Sequence, residues 1–280
     1  MNPTVVTQAS GLCSTMPCPQ PPSTGRLTLI GGRDKHGHPE YPRLELHPGE
    51  VVCIVGPTGS GKSRLLADIE CLAQGDTPTG RQVLVDGRPP DPAERFEAGY
   101  KRVAQLSQNM NFVVDMTAQA LIALHARCRQ IEAVAERVAA VLACANTLAG
   151  ESFGPDTPVT QLSGGQTRAL MIADVALLSR ALVVLIDEIE NAGVDRRRAL
   201  ALLTGGQKIV LVSTHDPLLA LQGQRRIVIR HGGMAEVLDT SASERMLLGQ
   251  LEVQDRWLGG LRDRLRGGAR LEAPDSWTHR

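Results

Sequence analysis

Eight consecutive residues, Gly56-Pro57-Thr58-Gly59-Ser60-Gly61-Lys62-Ser63, satisfy the spacing G-x-x-x-x-G-K-[ST] at every specified position. Ahead of them Glu50–Val55 (EVVCIV) reads as a short buried strand, and behind them Ser63–Cys71 (SRLLADIEC) has the apolar spacing of a helix. Strand, glycine turn and helix in that order are the context that gives the motif its physical meaning. The glycines let the backbone curl so that several N–H groups face inward, and the helix presents its positive end to the same spot. An anion is the expected guest. Lys62 would lie along the β- and γ-phosphates of a nucleotide and the Ser63 hydroxyl would hold Mg²⁺, with Arg64 beside them.

A second anion-receiving arrangement follows in the other half of the chain, where Leu162-Ser163-Gly164-Gly165-Gln166 leads into a helix predicted over Thr167–Leu178. Next comes Leu182–Ile186 (LVVLI), a wholly apolar run of strand length that ends in Asp187-Glu188. Such a run suits a central parallel strand covered on both faces, and the carboxyl ends of such strands are where open α/β sheets bind ligands. Two carboxylates there are costly unless a metal or a reaction uses them. Lys208–Val212 repeats the apolar pattern and runs into Ser213-Thr214-His215-Asp216, which directs His215 at the same crevice.

The other segments frame these motifs. Residues 1–25 are rich in Pro, Ser and Thr and read as a flexible tail. Strands are predicted over Arg26–Ile30 and near Arg43–Leu46, and the loop between them carries His36, His38 and Tyr41, any of which offers a flat face to a nucleotide base. Further strands are predicted over Gln82–Gly87 and Arg102–Ser107. Apolar residues at helical spacing predict helices over Thr117–Arg129 and Ile131–Leu148, an insert spanning about 109–162. Arg226–Arg230 and Met234–Leu238, joined by Gly232-Gly233, read as a closing hairpin. Over 241–280, Leu247, Leu251, Leu258, Leu261 and Leu265 step by threes and fours, with Gln254 in the gap and Gly259-Gly260 as an interruption. That pattern fits a dimerising seam or a terminal helix packed on its own domain.

With 30 basic and 30 acidic residues the chain has no global field to recruit nucleic acid or a lipid surface. Aromatics at 2% disfavour stacking platforms for single strands, so no sequence-specific nucleic acid is expected. No apolar run approaches membrane-spanning length and no basic-then-apolar leader opens the sequence. The expectation is a cytoplasmic protein, peripheral at the inner face of the membrane if it meets one. Cys53, Cys71, Cys128 and Cys144 are expected as reduced core thiols, whereas Cys13 and Cys18 lie close together in the tail, at a spacing that could serve half of a metal site.

Taken together, the loop at 56–63, LSGGQ at 162–166, the strand ending in Asp187-Glu188 and His215 resemble the ATP-binding cassette ATPases over roughly Arg26–Leu238. The resemblance implies an α/β P-loop NTPase with a parallel core sheet, an N-terminal antiparallel β subdomain and an inserted α-helical subdomain. It implies an ATPase domain over 26–240, a C-terminal helical extension over 241–280, and ATP with Mg²⁺ as cofactors. Asp187 would hold the metal through water, Glu188 would be the general base, and His215 would be the switch residue at the γ-phosphate. Gln108 resembles the family's Q-loop glutamine, a further metal contact, with Gln105 as its rival. Asp195 resembles the acid at the subunit contact. Ser163, Gly164, Gly165 and Gln166 would close over ATP bound to a partner's Lys62, which implies a homodimer or a pair with a related subunit.

Three functions are then open: an ATP-hydrolysing subunit that energises a separately encoded membrane permease, a soluble ATPase that remodels a protein, a cofactor enzyme or DNA, and a non-hydrolysing ATP sensor. The chain departs from the transporter pattern at Ile189-Glu190-Asn191, where Pro-Thr-Ser/Ala is usual, and at Asp174, where arginine is common.

Overall fold

The computed structural model describes residues 25–97, 101–107, 111–188 and 194–271. Strands β1 (Leu27–Ile30), β2 (Arg43–Leu46), β3 (Val51–Val55), β4 (Gln82–Val85), β5 (Val103–Leu106), β6 (Val183–Asp187), β7 (Ile209–Ser213), β8 (Arg225–Arg230) and β9 (Gly233–Asp239) form two sheets. The smaller is antiparallel in the order β2-β1-β4; the larger has the order β5-β6-β7-β3-β8-β9. In the larger sheet β5, β6, β7, β3 and β8 are mutually parallel, and β9 closes the edge antiparallel to β8.

Period-two alternation assigns each face of the parallel sheet its own core. Val184, Ile186, Val210 and Val212 point into a core shared with α3 (Ala118–Cys128), α4 (Val134–Leu148) and α5 (Gly164–Leu177). Val183, Leu185, Ile209 and Leu211 point the other way, into a core shared with α1 (Lys62–Glu70) and the antiparallel sheet. Both faces are covered, which is why LVVLI reads as continuous apolar sequence. The short α2 (Pro92–Phe96) sits between β4 and β5, α6 (Arg196–Gly205) joins β6 to β7, and α7 (Pro217–Gln222) joins β7 to β8. Among the described residues no helix is long and apolar enough to cross a membrane.

Three expectations need correction. Helix α5 begins at Gly164 rather than Thr167, because Ser163 and Gln166 form a reciprocal capping box that draws both glycines into the first turn. The C-terminal α8 (Ala242–Arg266) runs unbroken through Gly259-Gly260. Two glycines cost a helix only about 1 kcal/mol each, which the hydrogen-bonded turns on either side absorb. None of its residues is buried. Arg226–Glu244, Arg197–Glu252 and Arg196–Asp255 ion pairs hold it to the domain, and Met246, Val253 and Trp257 stay exposed. Of the expected core thiols, Cys53 and Cys144 are buried, but Cys71 and Cys128 are exposed at helix ends. Cys13 and Cys18 lie outside the described residues.

Candidate functional site

The carboxyl ends of β6, β7 and β3 lie side by side. Asp187 pairs in register with Ser213, and Ser213 with Ile54, so the Asp187 strand end and the start of the glycine loop are two strand spacings apart, about 10 Å. Between them the Ser213 hydroxyl is buried, with no hydrogen-bond partner among the described residues.

Backbone geometry forces the glycines of the loop. Gly56, Gly59 and Gly61 have φ of 156°, 75° and 107°, values that side chains rarely adopt. A Cβ on Gly61 would stand 2.8 Å from the Gly232 Cα in the β8–β9 turn, which donates its N–H to the Ser60 carbonyl at 2.8 Å. No side chain caps α1 behind the loop, so its first N–H groups are left for an anion. Lys62 is 7% exposed and folds its Nζ across the loop onto the Gly56 and Pro57 carbonyls at 2.9 and 3.2 Å. The Ser60 hydroxyl is buried and has no partner among the described residues, while Pro57, Thr58, Gly59, Ser63 and Arg64 face solvent.

Glu188 follows β6 in the left-handed region, with φ of 50°, anchored by its N–H to the Ser213 carbonyl at 3.0 Å. That kink brings its Oε1 to 3.6 Å from Nε2 of His215. His215 is held between Thr214, which donates its N–H to the Ile54 carbonyl, and Asp216, which caps α7 and pairs with Arg196. Lys62, Asp187, Glu188 and His215 thus meet along one sheet edge. Gln108 lies outside the described residues; its rival Gln105 stands on β5 with its amide toward Glu70 of α1, occupied away from that edge.

At LSGGQ the Ser163 Oγ accepts from the Gln166 N–H at 3.3 Å and the Gln166 Oε1 accepts from the Ser163 N–H at 2.9 Å. The serine keeps its own proton to donate. Ser163 and Gly164 are exposed, and a Cβ on Gly164 would meet nothing within 4 Å. Asp195 caps α6 through the Arg198 N–H at 3.1 Å.

The base-side candidates separate. Tyr41 is packed against the core beneath the antiparallel sheet, and His38 lies 3.4 Å from Asp34. His36 is exposed, its ring edge-on to His231 with centroids 5.0 Å apart, next to the turn that rests on the phosphate loop.

Asp174, unexpected in the sequence, is explained by its partners. Its carboxylate receives Arg129 at 2.8 Å and lies 3.0 Å from Nδ1 of His125, which ties α5 to α3. Burial pushes this carboxyl up, but the His125 hydrogen bond and the Arg129 charge more than offset it and hold it below the ordinary value. Sequence reasoning also missed a buried ionic network of Arg81, Asp68 and Glu40 behind the phosphate loop. The signal was Asp68 itself, a carboxylate on the apolar face that Leu65, Leu66 and Ile69 define.

Known proteins resemble this chain in sequence and fold. The family profile described as ABC transporter matches residues 41–191. An uncharacterised ABC transporter ATP-binding protein of Methanocaldococcus jannaschii is 50% identical over 252 residues, covering 89% of this chain and 95% of that protein. The macrolide export ATP-binding/permease protein MacB of Salmonella typhimurium is 33% identical over 197 residues, 68% of this chain but 30% of that longer protein. Among solved structures, a dimeric ATP-binding cassette in a post-hydrolysis state with ADP and Pi superposes with a TM-score of 0.57 at 25% identity, covering 77% of this chain and 99% of that one. For cbiO1 of Clostridium perfringens, at 20% identity, the TM-score of 0.60 over 85% of this chain and 98% of that one is a likeness of fold. The chain belongs to the ABC transporter family, as an ATP-binding and ATP-hydrolysing subunit.

Proposed function

We propose that two copies of this chain, or one copy and a related subunit, close head to tail over Mg-ATP and use its hydrolysis to drive a separately encoded membrane permease. The ATPase domain would span 26–240, its helical subdomain 109–162, and the extension 241–280. The observation that carries this reading is the pairing of an uncapped helix end under the Lys62 loop with an exposed, already capped one at Ser163. Gly164 faces open space, so nothing among the described residues requires a glycine there; close approach by a partner's nucleotide would. Relatives whose names join an ATP-binding part to a permease support the transport half of the reading.

The residues fit a magnesium-bound triphosphate. The cradle at Gly56 and Gly61 has no room for side chains, and the buried Ser60 and Ser213 hydroxyls, without partners among the described residues, line the edge where phosphate would sit. Ser63 and Asp187 supply hard oxygen donors, the kind Mg²⁺ takes along with water and phosphate. Among the described residues no set of three or more His, Cys, Asp or Glu could hold a metal alone. When bound, the ion would neutralise charge on the β- and γ-phosphates. Lys62 would exchange its two carbonyl partners for phosphate oxygens. Glu188 would take a proton from the attacking water, and His215 would hold the γ-phosphate while keeping Glu188 oriented. Gln108 would position the same water. His36 would offer its ring to the adenine, and Ser163 would donate its hydroxyl proton to the partner's γ-phosphate.

Replacing Glu188 with Gln keeps the shape and removes the base. The expected result is a turnover lower by about 10²–10⁴-fold and an ATP-dependent dimer in size-exclusion chromatography. Undiminished phosphate release would remove Glu188 from the role. Affinity capture in ATP and in ADP tests the partner: a multi-span membrane protein is expected, and a soluble client would replace the transport reading.

A further inference from the structure

We infer that Arg81, which has no part in the chemistry above, is a positioning residue that sets the base-side loop in register with the phosphate loop. It thereby decides how strongly the site prefers a nucleoside triphosphate to a bare polyphosphate chain. This rests on the reading that a nucleotide lies along Gly56–Ser63 with its base toward His36.

Arg81 is among the most deeply buried charges of the molecule: its side chain is 2% exposed, and those of Glu40 and Asp68 are 0% and 2%. Its guanidinium serves three separate parts of the fold. Nε and Nη2 make a bidentate pair with Glu40 at 2.9 and 2.8 Å, and Glu40 ends the loop that carries His36 and His38. Nη1 donates to Asp68 at 2.8 Å, on the helix that grows out of the phosphate loop, and Thr79 donates to the same oxygen at 2.8 Å. Nη2 also donates to the Gly232 carbonyl at 2.7 Å.

Gly232 makes this more than a structural knot. Its carbonyl is held by Arg81 while its N–H holds the Ser60 carbonyl, and its Cα lies against Gly61. The preceding residue, His231, accepts from the Lys35 N–H at 2.9 Å and receives the His36 ring edge-on. Base-side loop and phosphate loop therefore touch the same two-residue turn, and Arg81 fixes that turn from behind. A buried guanidinium between two carboxylates is a poor means of adding stability, because desolvation cancels most of the attraction. It is a good means of fixing geometry, because the planar fork defines directions that neither an apolar cluster nor a lysine reproduces.

The test is calorimetric binding of a non-hydrolysable ATP analogue and of tripolyphosphate, both with Mg²⁺, to the full chain, to Arg81→Lys and to Glu40→Gln, with thermal melts alongside. The unmodified chain is expected to bind the nucleotide more tightly than tripolyphosphate. Arg81→Lys should weaken nucleotide binding about tenfold and tripolyphosphate binding less than about twofold. Glu40→Gln, which keeps the shape and loses the charge, should show the same selective loss at smaller size, and it carries the test if Arg81→Lys does not fold. Equal weakening of both probes, or a lower melting midpoint with the preference unchanged, overturns the inference. If the unmodified chain binds both probes alike, the base-side reading fails first, and the inference falls with it.

Discussion

Glu188 occupies a left-handed backbone position that a glutamate enters at a cost of about 1–3 kcal/mol, and its N–H bond to Ser213 is what keeps it there. The strain sits at the residue proposed to take the proton from water, with Nε2 of His215 3.6 Å from its carboxylate. Asp174 shows the opposite arrangement, a carboxylate whose surroundings are fully occupied. Its folded-state value lies below the ordinary 3.8, so its contribution to stability is present above about pH 4 and is lost as the pH falls through the lowered folded value. Asp174→Asn should therefore cost about 2 kcal/mol in urea unfolding at pH 7, and clearly less near pH 3. An equal loss at both values would refute the ionic account. The sequence marked Asp174 as unusual but could not supply its partners, because His125 and Arg129 are 49 and 45 residues away. Asp187, Glu188 and His215 were legible in place because they stand at or just past the ends of apolar strands, and Lys62 because the glycine spacing ahead of it is itself a local pattern.

Elements were legible where periodicity was unmixed. LVVLI could only be a strand covered on both sides, and β6 has four fully buried residues before Asp187. The helical insert appeared as α3 and α4 because its Ala and Leu spacing met no glycine or proline. The terminal helix was misjudged at Gly259-Gly260 because glycine frequency measures a cost, and α8 has enough turns on both sides to bear it. Since no residue of α8 is buried and its attachment is through partly exposed ion pairs, removing residues 242–280 should lower the unfolding free energy by at most about 2 kcal/mol. A larger loss in denaturant titration would mean that the helix is part of the core.

At the scale of the whole molecule, the proposed site is divided between two chains, and the division can be tested by mixing. Lys62→Ala and Ser163→Ala should each be inactive alone. Combined one to one, half of the dimers are mixed and each holds one intact site, so about a quarter of the native turnover should return. No recovery would place both residues in the same chain's site. The long-range ties were hidden from sequence reading: Arg81 meets Glu40, Asp68 and Gly232, which no spacing rule connects. That knot gives the β8–β9 turn an unusual standing. Exposed turns normally accept extra residues, but here one residue, Gly232, is clasped through its N–H by the phosphate loop and through its carbonyl by a buried cation. In an insertion library this hairpin tip should behave like the centre of the sheet, rejecting even a single added residue.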